Sequence, residues 1–184
     1  MNVENDSDMT REEGIETVYD GPSHVVILGA GASIASTIHN PEPSGKKLPS
    51  MDNFIDVVGL REILDSADSD CHAGNFEEIY SCLYIKDPNS RTMQDIGQKV
   101  FNYFSGLRLA DTPTIYDYLL LALGPKDLIA TFNWDPFLFQ AFLRNRRFTG
   151  ALRRLSFLHG NVAVGYSAKD ESRSDRNAIE GHWR

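Results

Sequence analysis

The sequence predicts an α/β fold, and three observations support that prediction. A short apolar and mostly β-branched run, residues 25–28, leads directly into a Gly-rich turn, Gly29-Ala30-Gly31-Ala32-Ser33. Two further short apolar runs, 127–131 and 155–158, alternate with helical patterns later in the chain. Strands that alternate with helices form parallel sheets. The expected architecture is therefore a Rossmann-like parallel sheet flanked by helices, with a helical insertion between the first and second strands.

The first strand is expected to be buried on both faces, because an unbroken apolar run is typical of a strand inside a parallel sheet. A short helix should follow it, from about Ala32 to Ile38. The next loop, residues 40–49, is rich in Pro, Gly and Lys. It is either a candidate lid over the turn or a plain connecting loop.

The helical insertion contains several helices. Apolar residues repeat every three to four positions over 51–64, and Gly59 is expected to divide that helix into two pieces. Asn75 is a good N-cap for the next helix, with acidic residues in its first turn. A fourth helix carries Ile96 to Phe104 on one face and should stop near Gly106.

Two cap-plus-proline pairs predict later helix starts. Thr112-Pro113 predicts a helix that ends at Gly124-Pro125, and Asp135-Pro136 predicts one that ends near Arg144. Beyond the strand at 155–158, residues 162–166 are a candidate fourth strand.

Length and composition limit the class of protein. The 184 residues are 41% hydrophobic and 24% charged, which is typical of a soluble globular domain. We expect a flexible acidic segment over 1–22, one domain over 23–168 and a polar tail over 169–184. The net charge of −8 argues against direct nucleic-acid binding, which requires a basic surface.

Other features bear on the compartment and on metals. The apolar runs are shorter than the roughly 20 residues that cross a bilayer, and the acidic N-terminus does not resemble a secretory signal. We therefore expect a cytoplasmic protein with no membrane partner. With only Cys71 and Cys82 present, we expect neither a disulfide framework nor a four-cysteine zinc site. The five histidines show no metal-ligand spacing, so no metal is expected.

The Gly-rich turn has two interpretations. A turn between a strand and a helix presents backbone N–H groups at a helix N-terminus, where an anion such as phosphate is stabilised. The alternative is a purely structural turn. Ile34 stands where a dehydrogenase has its third glycine, and no second strand that ends in an acidic residue follows about 20 residues on. A hydride-transfer enzyme is therefore not expected.

Polar residues follow the other two strands. In Thr131-Phe132-Asn133-Trp134-Asp135, Asp135 and Asn133 either satisfy local backbone groups or bind a ligand through carboxylate and carboxamide. In Leu158-His159-Gly160, the imidazole of His159 has the chemistry of a general base. Since the carboxyl ends of parallel strands share one edge, all three segments should converge on one site.

In this order, the three segments resemble motifs of the sirtuin superfamily. That superfamily carries a Gly-Ala-Gly-x-Ser turn, a Thr-Gln-Asn-x-Asp segment and a later His-Gly pair. Phe132 replaces the glutamine of the protein deacylases, and Trp134 is the aromatic residue frequent in the bacterial, defence-type SIR2-like branch. The Asn75-Phe76-Glu77 helix start is also similar to that branch, which lacks the zinc module. The resemblance spans residues 25–166.

The resemblance implies that NAD+ is bound as a substrate and that its nicotinamide–ribose bond is cleaved by water. Asn133 and His159 would be the catalytic residues. The NAD+-binding residues would be Gly29, Ala30, Gly31, Ala32, Ser33, Thr131, Asn133 and Asp135. A non-catalytic NAD- or ADP-ribose-binding module and an inactive remnant are the alternatives, and an NAD-dependent protein deacylase is less favoured.

Two further expectations come from the same resemblance. Assembly into a homo-oligomer, or activation by a partner protein, is a property of that branch. The family's nucleotide fold also continues beyond the His-Gly strand, whereas only residues 161–184 follow it here. Either the chain is a piece of a longer protein or a partner completes the pocket.

Overall fold

The computed structural model describes residues 10–14, 21–67, 71, 74–148 and 154–164. They form a mixed α/β structure around a three-stranded parallel sheet. The strands are β1 (Val25–Leu28), β2 (Leu128–Thr131) and β3 (Arg154–Phe157), in the order β1-β2-β3. The parallel register pairs Leu28 with Thr131, and Thr131 with Phe157. The predicted parallel sheet is therefore confirmed, and the carboxyl ends of all three strands lie at one edge.

The prediction that β1 is buried on both faces is wrong. Val25 is 60% and Ile27 65% exposed, whereas Leu28 packs against the hydrophobic core. β1 lies at the edge of the sheet, and side chains alternate between its two faces. Within the described residues, the face that carries Val25 and Ile27 is left largely uncovered. An apolar run alone does not reveal whether the second face of a strand has a partner.

The predicted insertion of helices between β1 and β2 is present. The helices are α1 (Ala30–Ser36), a 3₁₀ turn (Met51–Asn53), α2 (Phe54–Val58), α3 (Arg61–Asp65), α4 (Phe76–Lys86), α5 (Arg91–Ser105) and α6 (Ile115–Ala122), and α7 (Phe137–Asn145) follows β2. Gly59 separates α2 from α3, as predicted, with a left-handed φ of 78°. Asn75 caps α4, since its side chain accepts hydrogen bonds from the Glu77 and Glu78 amides.

Two predicted helix starts fall elsewhere. α1 begins at Ala30, directly after Gly29, and not near Ala32. α6 begins after Thr114, not after Thr112, because the Asp117 carboxylate accepts hydrogen bonds from both the amide (2.7 Å) and the hydroxyl (2.8 Å) of Thr114. Thr114, two residues after the predicted cap, starts the helix because it forms a reciprocal pair with Asp117.

Helices α6 and α7 are joined by a buried polar cluster. Arg144 donates to Asp117 Oδ1 at 2.8 Å and also pairs with Oδ2, while Asn145 Nδ2 donates to Asp117 Oδ1 at 2.6 Å. These hydrogen bonds lower the pKa of Asp117, although its burial acts in the opposite direction. The cluster fixes the first turn of α6, which carries Tyr116, against the end of α7.

The start of the sheet is held by a second carboxylate. Asp127 accepts hydrogen bonds from the His24 amide at 2.8 Å and from the Gly124 amide at 2.6 Å. These two bonds, with a smaller contribution from the His24 ring, lower the pKa of Asp127 to about 2. The ionised carboxylate therefore ties the entry of β1 to the entry of β2.

The cysteines correct another expectation, because Cys71 and Cys82 form a disulfide. Cys71 precedes α4 in the chain, Cys82 lies in the second turn of that helix, and their two Cα atoms are 5.7 Å apart. The spacing of the two cysteines in the sequence does not reveal that the chain folds back and brings them together.

Residues 162–164, part of the predicted fourth strand, form a turn with an isolated bridge, and residues 165–166 lie outside the described residues, as do 1–9 and 169–184. None of the described helices is long and apolar enough to span a membrane.

Candidate active site at the carboxyl ends of the strands

The three segments that the sequence singled out meet around one cavity of about 670 Å³. Of the predicted site residues, Ala30, Ser33, Asn133, Asp135 and His159 line it. Each comes from the segment that directly follows β1, β2 or β3. The other predicted site residues are not part of the lining: Gly29, Gly31, Ala32 and Thr131.

The core of the site is a buried hydrogen-bond network. Ser33 is 1% exposed, and its Oγ donates to Asp135 Oδ2 at 2.7 Å. It also accepts from Asn133 Nδ2 at 2.8 Å and lies 2.6 Å from the Tyr116 hydroxyl. Since Ser33 has one proton and gives it to Asp135, the Tyr116 hydroxyl is the donor in that last contact. All hydrogen-bonding capacity of the Ser33 hydroxyl is thereby used within the protein.

Asn133 is held so that one side-chain atom stays open. Its Nδ2 donates to the Gly29 carbonyl at 2.9 Å and to Ser33 Oγ at 2.8 Å. The Gly29 carbonyl can only accept, so the orientation of the carboxamide is determined. Within the described residues, Oδ1 of Asn133 has no hydrogen-bond partner, although the residue lines the cavity and is only 9% exposed. A buried acceptor without a partner is a suitable group for holding a hydroxyl or a water.

Asp135 is a buried carboxylate that no described cationic side chain pairs with. It is 5% exposed, and its oxygens accept from the Ser33 hydroxyl and from the Phe137 amide at 3.1 Å. Burial raises the pKa of Asp135 above its usual range, and these hydrogen bonds offset only part of that effect. The Asp135 carboxylate binds the amide of Phe137, the first residue of the following helix, although the N-cap position is Pro136 and not Asp135 as predicted. Its other carboxylate oxygen, Oδ2, accepts the hydrogen bond from the Ser33 hydroxyl and so belongs to the buried network.

Tyr116 is a member of this network that sequence reasoning missed. It is 1% exposed, and its burial, together with the nearby Asp135 carboxylate, raises the pKa of its hydroxyl. The hydroxyl therefore remains a neutral donor at physiological pH. In the sequence, Tyr116 is one apolar position in a helical pattern, and that pattern does not reveal a polar contact with residues 83 positions away.

The backbone of residues 133–135 is braced by Asn161, another residue that the sequence did not single out. Asn161 is 1% exposed, and its Nδ2 donates to the carbonyl of Asp135 at 2.6 Å and to that of Asn133 at 3.2 Å. The amide of Val162 also donates to the Trp134 carbonyl at 3.1 Å. The turn after β3 therefore fixes the loop after β2.

His159 lies at the exposed side of the cavity. Its ring makes an edge contact with Phe132, with centroids 5.0 Å apart, and its imidazole nitrogens have no hydrogen-bond partner among the described residues. Gly160 follows with a left-handed φ of 77°, a conformation that favours glycine. The imidazole is thus accessible to a ligand.

The Gly-rich turn runs straight into α1. Gly29 is the N-cap, and its carbonyl accepts from the Ala32 amide at 3.0 Å. Space is open at the positions where side chains on Gly29 and Gly31 would begin. Thr131 has an internal role, because its Oγ1 accepts from the Asn133 amide at 3.1 Å while the residue is 1% exposed.

The remainder of the cavity is mainly apolar and comes from the helical insertion. Phe54, Phe76 and Phe104 each pack edge-on against Trp134, with ring centroids 5.8 to 6.5 Å apart. The sequence had assigned these phenylalanines only to helix core faces. Helix α4 also contributes Glu77, Tyr80 and Ser81.

The Pro-rich loop that was a candidate lid forms one wall of the cavity through Leu48, Pro49 and Ser50. Its first half is anchored by Glu42, a 4% exposed carboxylate. That carboxylate accepts hydrogen bonds from the Ser44 hydroxyl and from three amides, including that of Arg108 at 3.1 Å. In this structure, the loop is therefore held as a wall.

Within the part of the chain that the structure describes, no group of three His, Cys, Asp or Glu side chains is placed to hold a metal ion.

No protein-family model and no curated protein matches this chain.

Proposed function

We propose that this protein is an NAD+ glycohydrolase with a SIR2-like, Rossmann-like domain. One observation carries the proposal: Ser33, Asn133, Asp135 and His159 come from three separate strand ends and surround one cavity. The order of the three motifs in the sequence led to the same proposal. The cavity volume of about 670 Å³ also falls within the range of small-molecule sites.

The proposed reaction is the hydrolysis of the nicotinamide–ribose bond. Water attacks the anomeric carbon of the ribose as the glycosidic C–N bond breaks, and the electron pair of that bond passes to the pyridinium nitrogen. Nicotinamide leaves as a neutral molecule, so no general acid is required. The water loses one proton, and the products are ADP-ribose and nicotinamide. The transition state resembles an oxocarbenium ion, as in glycoside hydrolysis.

Each cavity residue has a role that its contacts support. Oδ1 of Asn133 is the open acceptor that would position a ribose hydroxyl or the attacking water. Asp135 would accept a hydrogen bond from the carboxamide of nicotinamide. The accessible imidazole of His159 would take the proton from the ribose hydroxyl or the water.

The diphosphate would lie at the start of α1. The amides of Ala30 and Gly31 and the open space at Gly29 support that placement. The hydroxyl of Ser33 is fully engaged by Asp135, Asn133 and Tyr116. We therefore propose that Ser33 positions the network and does not bind the diphosphate directly.

The test uses chromatography to measure the rate at which the full chain releases nicotinamide from NAD+. His159→Ala should lower the rate by about 10²- to 10⁴-fold, the contribution typical of general base catalysis. The residue is exposed and its ring nitrogens lack hydrogen bonds in the described structure, so the fold should survive the change. His39→Ala removes another exposed histidine, outside the cavity lining, and is the matched control. A His159→Ala variant with the full rate would contradict this role.

A second candidate function is the binding of NAD or ADP-ribose without turnover. Two observations favour it: the imidazole of His159 lacks an orienting partner among the described residues, and both N–H groups of the Asn133 carboxamide are used internally. A thermal-shift titration with ADP-ribose separates the two candidates. Stabilisation without nicotinamide release supports the binding module, whereas release supports the enzyme.

A further inference from the structure

We propose that Glu77 makes the cavity selective for a positively charged pyridinium ring over the neutral form of the same ring. This proposal deepens the proposed function and rests on it for the identity of the natural ligand. It would make Glu77 a specificity-determining residue, which discriminates NAD+ from its reduced, neutral-ring form. Three features of the cavity support it.

The first feature is the charge of the lining. Of the described side chains around the cavity, Glu77 and Asp135 are carboxylic acids, and neither a lysine nor an arginine is among these described lining residues. Asp135 is buried within the Ser33 network, whereas Glu77 is exposed at the start of α4. An anionic ligand group would therefore meet no cationic side chain inside the cavity. A cation would meet a carboxylate.

The second feature is that Glu77 is not used for any structural purpose that the described residues reveal. Its neighbour Glu78 completes the helix cap, since Glu78 Oε2 accepts from the Asn75 amide at 3.2 Å. The Glu77 carboxylate has neither a hydrogen bond nor an ion pair within the described part of the chain. It lies in the first turn of α4. The two adjacent glutamates thus differ: one caps the helix and the other is available to a ligand.

The third feature is the aromatic lining. Phe54, Phe76, Phe104 and Trp134 lie around the cavity, and the three phenylalanines pack edge-on against the indole. Aromatic faces attract organic cations, and cages of such rings recognise quaternary nitrogen. The ring nitrogen of NAD+ is a quaternary pyridinium nitrogen, which suits an aromatic cavity that also contains a carboxylate.

The consequence for the reaction is a change of charge at the ring during cleavage. When the glycosidic bond breaks, the ring takes the bonding electron pair and becomes neutral nicotinamide. The attraction to Glu77 and to the aromatic faces then falls. The cavity would hold the substrate ring more strongly than the product ring, which favours release of nicotinamide.

The test uses two small probes that cannot be hydrolysed, 1-methylnicotinamide, which is a cation, and nicotinamide, which is neutral. Isothermal titration calorimetry with the full chain measures the affinity of each. We expect the cation to bind about tenfold more tightly, a ratio within the range of cation–π and charge effects. Glu77→Gln should reduce that ratio to about one.

Glu78→Gln is the matched control, because it removes one charge from the same helical turn and glutamine can still complete the cap. It should keep the tenfold ratio. The proposal is overturned if the wild-type protein binds both probes equally, if it binds neither, or if Glu77→Gln retains the preference. Absence of nicotinamide release from NAD+ would contradict the proposed function and leave the probe result standing. Hydrolysis without a preference between the probes would overturn only the role of Glu77.

Discussion

Replacing Asp135 with asparagine should stabilise the fold at neutral pH. The carboxylate is 5% exposed and is held by one hydroxyl and one amide, and no described cationic side chain pairs with it. Asparagine has the same shape, can accept from the Phe137 amide and can donate to Ser33, whose proton is then free for Tyr116. The substitution therefore removes the buried charge, keeps the partners of residue 135 and reverses the direction of the hydrogen bonds along Ser33 and Tyr116.

The sign of the effect follows from the raised pKa of Asp135. Because the folded protein holds this proton more tightly than the unfolded chain, stability is greatest below the unfolded pKa. It is lost as pH rises through the folded pKa. The loss is at most about 1.4 kcal/mol for each pH unit between the two values. At pH 7 the variant should be more stable by about 1 to 3 kcal/mol, the usual cost of a poorly compensated buried polar group.

Urea unfolding at several pH values between 4 and 8 measures this difference. Subtracting the free energy of unfolding of the variant from that of the wild type cancels every other titrating group. The difference should become more negative as pH rises. Asp65→Asn removes an exposed carboxylate and, as the control, should change stability by less than about 0.5 kcal/mol. A difference that does not vary with pH, or a variant that is less stable at pH 7, would refute the reasoning.

Three other predictions concern stability and positioning. Cys82→Ser should destabilise the fold by about 3 kcal/mol, since the disulfide closes a short loop, and the melting temperature should fall by about 6 to 12 °C. A reductant should lower the melting temperature of the wild type by a similar amount and leave the melting temperature of Cys82→Ser unchanged. Tyr116→Phe removes a donor to the buried network and should cost about 1 to 2 kcal/mol in unfolding experiments, as well as slowing nicotinamide release, whereas the exposed Tyr118→Phe should do neither. Asp127 has a lowered pKa of about 2, so it stabilises the fold above pH 3.8 and this contribution is lost as pH falls towards 2. In acid unfolding experiments, Asp127→Asn should not show this loss of stability as pH falls from 3.8 towards 2.

Predictions from the sequence were most reliable for helix ends, where the structure depends on residues that are neighbours in the chain. Asn75 caps α4 and Gly59 separates α2 from α3, both as predicted, and the Asp135 carboxylate binds the first amide of α7 although Pro136 is the N-cap. Such features depend on groups within three or four positions, which the sequence lists directly. The predicted start of α6 at Thr112 was wrong because Thr114, two residues later, forms a reciprocal pair with Asp117.

The candidate site was only partly predictable. Its polar residues follow strand ends, and parallel strands bring such ends together, so their convergence followed from the order of the elements. The aromatic lining did not follow, because helical periodicity identifies an inward face but not what that face meets. Phe54 and Phe76 were assigned to the core, and they also line the cavity. Tyr116 was missed for the same reason, whereas Asn161 lies in the turn after β3 and donates to carbonyls of the loop after β2, which the sequence does not show to be close.

By itself, the sequence determined the three strands of the parallel sheet, the helical insertion, the cap at Asn75 and the edge of the sheet at which polar residues gather. These depend on the chemistry of adjacent residues and on the periods of strand and helix. Only the tertiary structure decided that Val25 and Ile27 remain exposed, that the two cysteines form a disulfide, and that the Ser33 hydroxyl donates a hydrogen bond to Asp135. Each of these is a contact, or a missing contact, between residues far apart in the chain or on unpaired faces. Local pattern carries no information about such distances.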